Sequence, residues 1–136
     1  MIYDSLEALP FYRPLSDSIV FIERMVDGAM ESHPAIERQG GAVVPRSYDG
    51  RLVAHHEQLC FHWVKTGREV IAVGYSEQAK AALPAADGTI ALEGAQVATV
   101  VTLEAGEFVL LMPGEPYALG LSGSSESTES ESLRFV

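Results

Sequence analysis

The sequence predicts an all-β protein, an antiparallel sandwich or barrel with an N-terminal helix. Three observations carry that expectation. Beyond Gly50 the apolar residues fall in runs of four to eight, too short for helices and long enough for strands. Gly, Pro, Asp and Ser separate those runs, as turns require. Only one segment of the chain carries a helical period. A length of 136 residues, 47% of them hydrophobic and 21% charged, suits a single domain over residues 1–136 with its own core.

The helix is expected within Pro14 to Met30, where Leu15, Ile19, Ile22, Val26 and Met30 recur at spacings of four, three, four and four. Ser16 or Asp17 suits its cap, and Gly28 weakens its end. From Pro34 to Gly50 the chain is punctuated every few residues, which leaves room only for short strands. Strands are then expected at Leu59 to Val64, Glu69 to Val73, Thr89 to Leu92, Gln96 to Leu103, Glu107 to Met112 and Leu133 to Val136. Gln78 to Ala82 reads as strand or as a helical turn. Ser122 to Ser132, SGSSESTESES, has no apolar side chain to offset the entropy of ordering, so a mobile acidic loop is expected at 122–132.

Charge narrows the partners. Nine basic against nineteen acidic residues give a formal charge of -10, which leaves no cationic surface for a phosphate backbone. The N-terminus has Asp4 and Glu7 where a signal peptide needs a basic start, and no apolar window reaches membrane-spanning length. A lone cysteine, Cys60, forms no internal disulfide and suits a reducing compartment. The expectation is a cytoplasmic protein without nucleic-acid or membrane partners.

Candidate chemistry gathers between residues 55 and 69. His55, His56 and His62 lie within eight positions, with Glu57 and Cys60 between them. On a strand, Cys60, His62 and Val64 share one face, and Leu59, Phe61 and Trp63 the other. His62 and Cys60 would then point together into a cavity. His55 and His56 face opposite ways, so one at most joins them. The alternative is an inward polar face of hydrogen-bonded histidines with no further role. Glu69 is either a cavity carboxylate or an exposed strand-edge one. A second notable stretch, LEAGEFVLLMPGEPYAL from Leu103, runs a strand into the Pro113–Gly114 turn, after which Tyr117 emerges.

The opening MIYDSLEALPFYRPL, then AHHEQLCFHWVKTGRE, then LEAGEFVLLMPGEPYAL together resemble the YhcH/YjgK/YiaL family, which includes the beta subunit of evolved beta-galactosidase and sialic-acid anomerases. The resemblance runs from Met1 to about Leu119 and implies a cupin-like antiparallel double-stranded fold, a central cavity, a sugar or sugar acid as ligand, and a homodimer. It implies an anomerase or epimerase with His55 as acid or base; beside it, Glu69 is a second candidate catalytic group and His62, Cys60 and Tyr117 are candidate ligand-binding residues where they line the cavity.

The family motif is altered here. Val53 stands where the family has Glu, Cys60 where it has Asp, and Tyr117 where it has His after the turn. Those losses leave too few ligands for a stable metal centre, which typically takes three or four. No metal or other cofactor is therefore expected. The same losses support the alternative function, a ligand-binding or protein-interaction module without turnover.

Overall fold

The computed structural model describes residues 1–77, 79–85 and 88–136. Two antiparallel sheets face each other. The first has the strand order β1 (Ile2–Ser5), β9 (Glu107–Leu111), β4 (Leu59–Thr66), β11 (Glu129–Phe135) and β2 (Ile36–Ala42). The second runs β6 (Ala81–Pro84), β7 (Thr89–Glu93), β3 (Arg51–His55), β10 (Tyr117–Leu121), β5 (Arg68–Tyr75) and β8 (Gln96–Glu104). The expected sandwich of short strands is observed. Ala81 and Ala82 belong to β6 rather than to a helical turn, while Gln78 lies outside the described residues.

Strand alternation builds the core in layers. In β4, Leu59, Phe61 and Trp63 face outward and pack with Phe108, Leu110, Leu133 and Phe135 beneath the N-terminal segment. Cys60 and Val64 face inward and join Ile71, Val73, Val101, Leu103, Val109 and Leu111 between the sheets. The sequence division of β4 into two faces is therefore correct. Its outward face is core.

The helical segment is shorter than its apolar period suggests. Pro10 and Pro14 lie in a 3-10 stretch, Leu6–Leu15, and an α-helix, α1, covers only Ile19–Val26. Ser16, extended at φ -164° and ψ 143°, ends the 3-10 stretch and separates it from α1, so the α-helix does not run on from Pro14. Gly28, at φ +83°, turns the chain away after α1. Ile19, Ile22 and Met25 are the buried face, so the periodic residues Ile19 and Ile22 are placed as expected and Leu15 is left half exposed. Among the described residues no helix is long and apolar enough to cross a membrane.

The acidic stretch 122–132 corrects the sequence reading. Its last four residues open β11, between β4 and β2, where Ser130 and Glu131 are buried. Burial without apolar side chains is possible because these polar side chains meet hydrogen-bond or ion-pair partners. Thr128 Oγ1 donates to the Arg68 carbonyl (2.7 Å) and accepts from the Arg68 amide (3.0 Å). The Glu131 carboxylate lies between Arg38 Nε (2.9 Å) and Lys65 Nζ (3.1 Å). Hydrogen bonding, not apolar area, holds this segment in the sheet.

Candidate active site

Between the sheets lies an open cavity of about 510 Å³. Its wall takes alternate residues from several strands: Val53 and His55 from β3, His62 from β4, Glu69 from β5, Tyr117 from β10, and Ser130, Ser132 and Arg134 from β11. The strand register explains the convergence. His62 is paired with Ser132, and Cys60 with Arg134, so one inward row of β11 faces one inward row of β4. Tyr117 pairs with Val53 on one side and Val73 on the other.

The polar residues form two separate groups. In the first, Tyr117 Oη lies 2.6 Å from His55 Nε2, and Arg134 Nη1 reaches His55 Nδ1 at 3.5 Å. A guanidinium can only donate, so the tautomer that satisfies Arg134 carries its proton on Nε2 and donates it to Tyr117 Oη. The other guanidinium nitrogen of Arg134 pairs with Glu37 Oε2 at 3.0 Å, which steadies the group from the surface side.

In the second group His62 Nε2 donates to Glu69 Oε1 (2.9 Å), and His62 Nδ1 meets Ser132 Oγ at 2.7 Å. Glu69 Oε2 accepts from the Gly120 amide at 2.9 Å. Both side chains are almost sealed, at 3% and 1% exposed. Burial alone would push the Glu69 carboxyl up. The hydrogen bond and charge of His62, with bonds from Ser130 and Gly120, outweigh it and hold the group below the ordinary carboxylate value of 4.5.

Gly120 connects this pair to the cavity rim. It sits at φ +63°, where the pairing of β10 with β5 slips between Ala118 and Leu121. Its amide is held by Glu69 and its carbonyl accepts from the Arg46 amide at 2.9 Å. Glu69 thus fixes the irregular stretch of β10 that follows Tyr117, and through it the rim segment carrying Arg46.

The structure brings His55, His62, Glu69 and Tyr117 into one cavity wall. Cys60 stands apart, in the apolar layer beside it, where burial pushes its thiol up to about 11 despite hydrogen bonding with Tyr117 and Ser132 and the charge of Arg134. The sequence reading did not single out Arg134, Ser130 or Ser132. Their signal was the alternation of polar residues at 130, 132 and 134 against Leu133 and Phe135.

No protein-family model matches the chain, and no curated protein sequence does. Solved structures show its fold. Streptomyces albus HEPD, with its substrate 2-hydroxyethylphosphonate and Fe(II) bound, superposes at a TM-score of 0.50 and 17% identity over 76% of this chain. An oxalate decarboxylase matches at TM-score 0.40 and 14% identity over 74%, and Bacillus anthracis acireductone dioxygenase, with cadmium in its active centre, at TM-score 0.44 and 15% over 99%. The chain spans 18% of HEPD, 21% of the decarboxylase and 77% of the acireductone dioxygenase. The protein is a cupin-like antiparallel β-sandwich, as the resemblance implied.

A metal ion does not fit the donors present. Among the described residues no three His, Cys, Asp or Glu side chains are placed to hold one. His62 and Glu69 bind each other, His55 binds Tyr117, and Val53 offers no ligand atom.

Proposed function

We propose that the cavity binds a sugar or sugar acid and that His55, paired with Tyr117, moves a proton on it, as an anomerase or epimerase must. The observation that carries the reading is the 2.6 Å contact of His55 with Tyr117 at the cavity wall, with Arg134 behind the imidazole. Opening a sugar ring moves a proton off one oxygen and onto another. An imidazole titrates near neutrality and suits both transfers, and a phenol hydrogen-bonded to it can relay the proton. Ser130, Ser132 and Gln39 add neutral donors and acceptors for hydroxyl groups, and Arg134 and Arg46 add positive charge for a carboxylate. The YhcH/YjgK/YiaL resemblance supports the same class of ligand.

Nuclear magnetic resonance exchange spectroscopy on galactose, glucose and their uronic acids tests this reading. The wild type should accelerate anomer exchange of at least one of them. His55→Gln should lower that rate by roughly 10²-fold, with no matching loss of thermal stability. Unaltered exchange with His55→Gln would reject the catalytic assignment.

One observation favours a second reading, a binding protein without turnover. Glu69, the other candidate acid or base, has both oxygens engaged by His62 and Gly120, and Val53 replaces the carboxylate of the family motif. Saturable binding of one of these sugars, with no acceleration of exchange, would establish it.

A further inference from the structure

The thiol of Cys60 has no part in the function proposed above, yet it touches both polar groups of the cavity wall. On β4 it shares the inward face with His62, and across β11 these two residues stand opposite Arg134 and Ser132. Tyr117 packs with Cys60 in the same buried layer. The sulfur hydrogen-bonds with Tyr117, from the first group, and with Ser132, from the second.

The two ends of this series of contacts fix its direction when each imidazole carries one proton. A guanidinium only donates, and an ionised carboxylate only accepts. At one end His55 Nδ1 accepts from Arg134, so Nε2 carries the proton and donates to Tyr117 Oη. At the other, His62 Nε2 donates to Glu69, so Nδ1 accepts from the Ser132 hydroxyl. In the middle the Tyr117 hydroxyl is directed at the Cys60 sulfur, and the thiol proton at Ser132 Oγ, whose own proton is given to His62. Directions set from opposite ends agree at the sulfur. A thiol accepts and donates at once, as that place in the series requires.

We infer that Cys60 is a positioning residue for His55: it joins the two groups into one chain of hydrogen bonds, directed from Arg134 to Glu69, which holds His55 with its proton on Nε2 and Nδ1 as the nitrogen that receives a proton from the ligand. The hydrogen bond made by one ring nitrogen sets the protonation of the other, and linked bonds polarise one another. Arg134 Nη1 reaches Nδ1 at 3.5 Å, the long limit of a hydrogen bond, so a ligand hydroxyl can take its place. The proton transfer at Nδ1 rests on the function proposed above; the tautomer does not.

Long-range proton–nitrogen magnetic resonance spectra of the full chain without ligand read the tautomers directly. In the wild type at neutral pH, His55 and His62 should both show a protonated Nε2 and a bare Nδ1. Cys60→Ala takes the sulfur away from the Tyr117 hydroxyl, whose proton then turns to His55 Nε2, so the His55 signals should move towards the form protonated on Nδ1. Cys60→Ser accepts and donates as the thiol does and should restore the wild-type pattern. If anomer exchange is found, Cys60→Ala should lower kcat about tenfold or more with KM unchanged, and Cys60→Ser should recover most of it. Absence of exchange in the wild type would reject the sugar reading and leave the tautomers to decide this one. A wild-type His55 protonated on Nδ1, or a Cys60→Ala protein that loses stability while its His55 tautomer stays put, would overturn the assignment.

Discussion

His55 and His62 are seven positions apart, point into the same cavity and are comparably buried, yet they sit in opposite chemical settings. His62 is bound on both ring nitrogens, to Glu69 and to Ser132, and Glu69 is in turn bound to Gly120. That end of the cavity links β4 of one sheet to β5 and β10 of the other. His55 instead meets a phenol and a guanidinium, groups that can exchange a partner for a ligand. Two histidines from one sequence cluster thus divide into a brace and, in the function proposed above, a working residue. Spacing cannot separate such roles, because every partner but Glu69 comes from a strand more than 60 positions away in the chain.

The largest effect is expected at the brace. Glu69→Ala leaves the His62 ring and the Gly120 amide buried without their acceptor, and breaking a buried pair on one side costs about 3 to 5 kcal/mol. Urea unfolding measures it. A loss below about 1 kcal/mol would show that the pair braces nothing.

The acid limb of stability follows from the same group. Glu69 ionises below its ordinary 4.5 in the folded state, so its contribution is complete above that value and is lost as pH falls through the lower folded one. Unfolding free energy should therefore drop with acidification below about 4.5, and more steeply in the wild type than in Glu69→Gln. Parallel pH profiles for the two proteins would contradict this.

At the rim, Gly120→Ala forces a Cβ to 3.2 Å from Val43 Cγ1 and strains a positive φ, so a loss of about 1 to 2 kcal/mol is expected. The smallest expected effect is at Cys60. Its thiol is buried and held mostly neutral by a value near 11, so a thiol reagent at pH 8 should label native protein far more slowly than unfolded protein. Rapid labelling of the folded chain would place Cys60 at an accessible wall.

Most strands were legible because their apolar runs are bounded by turn residues, and the two faces of β4 followed from alternation alone. The helix was overextended because its apolar period runs from Leu15 to Met30, across Ser16, which is extended, and Gly28, which has a positive φ. β11 was missed in its first half for a different reason. Composition weighs apolar area, but Ser130, Glu131 and Ser132 are stabilised by partners on other strands, which composition does not register. Arg134 was hidden in the same way: its role depends on the pairing of β11 with β4, and no local pattern encodes a pairing across seventy residues.

The direct test of the division between brace and working residue is the unfolding free energy of His62→Leu beside that of His55→Leu. Both changes remove an imidazole from one cavity and leave a similar apolar volume. His62→Leu strands a buried carboxylate and should cost about 3 to 5 kcal/mol, whereas His55→Leu leaves a phenol and a surface-paired guanidinium and should cost about 1 to 3 kcal/mol. Equal losses, or a larger loss at His55, would contradict the account.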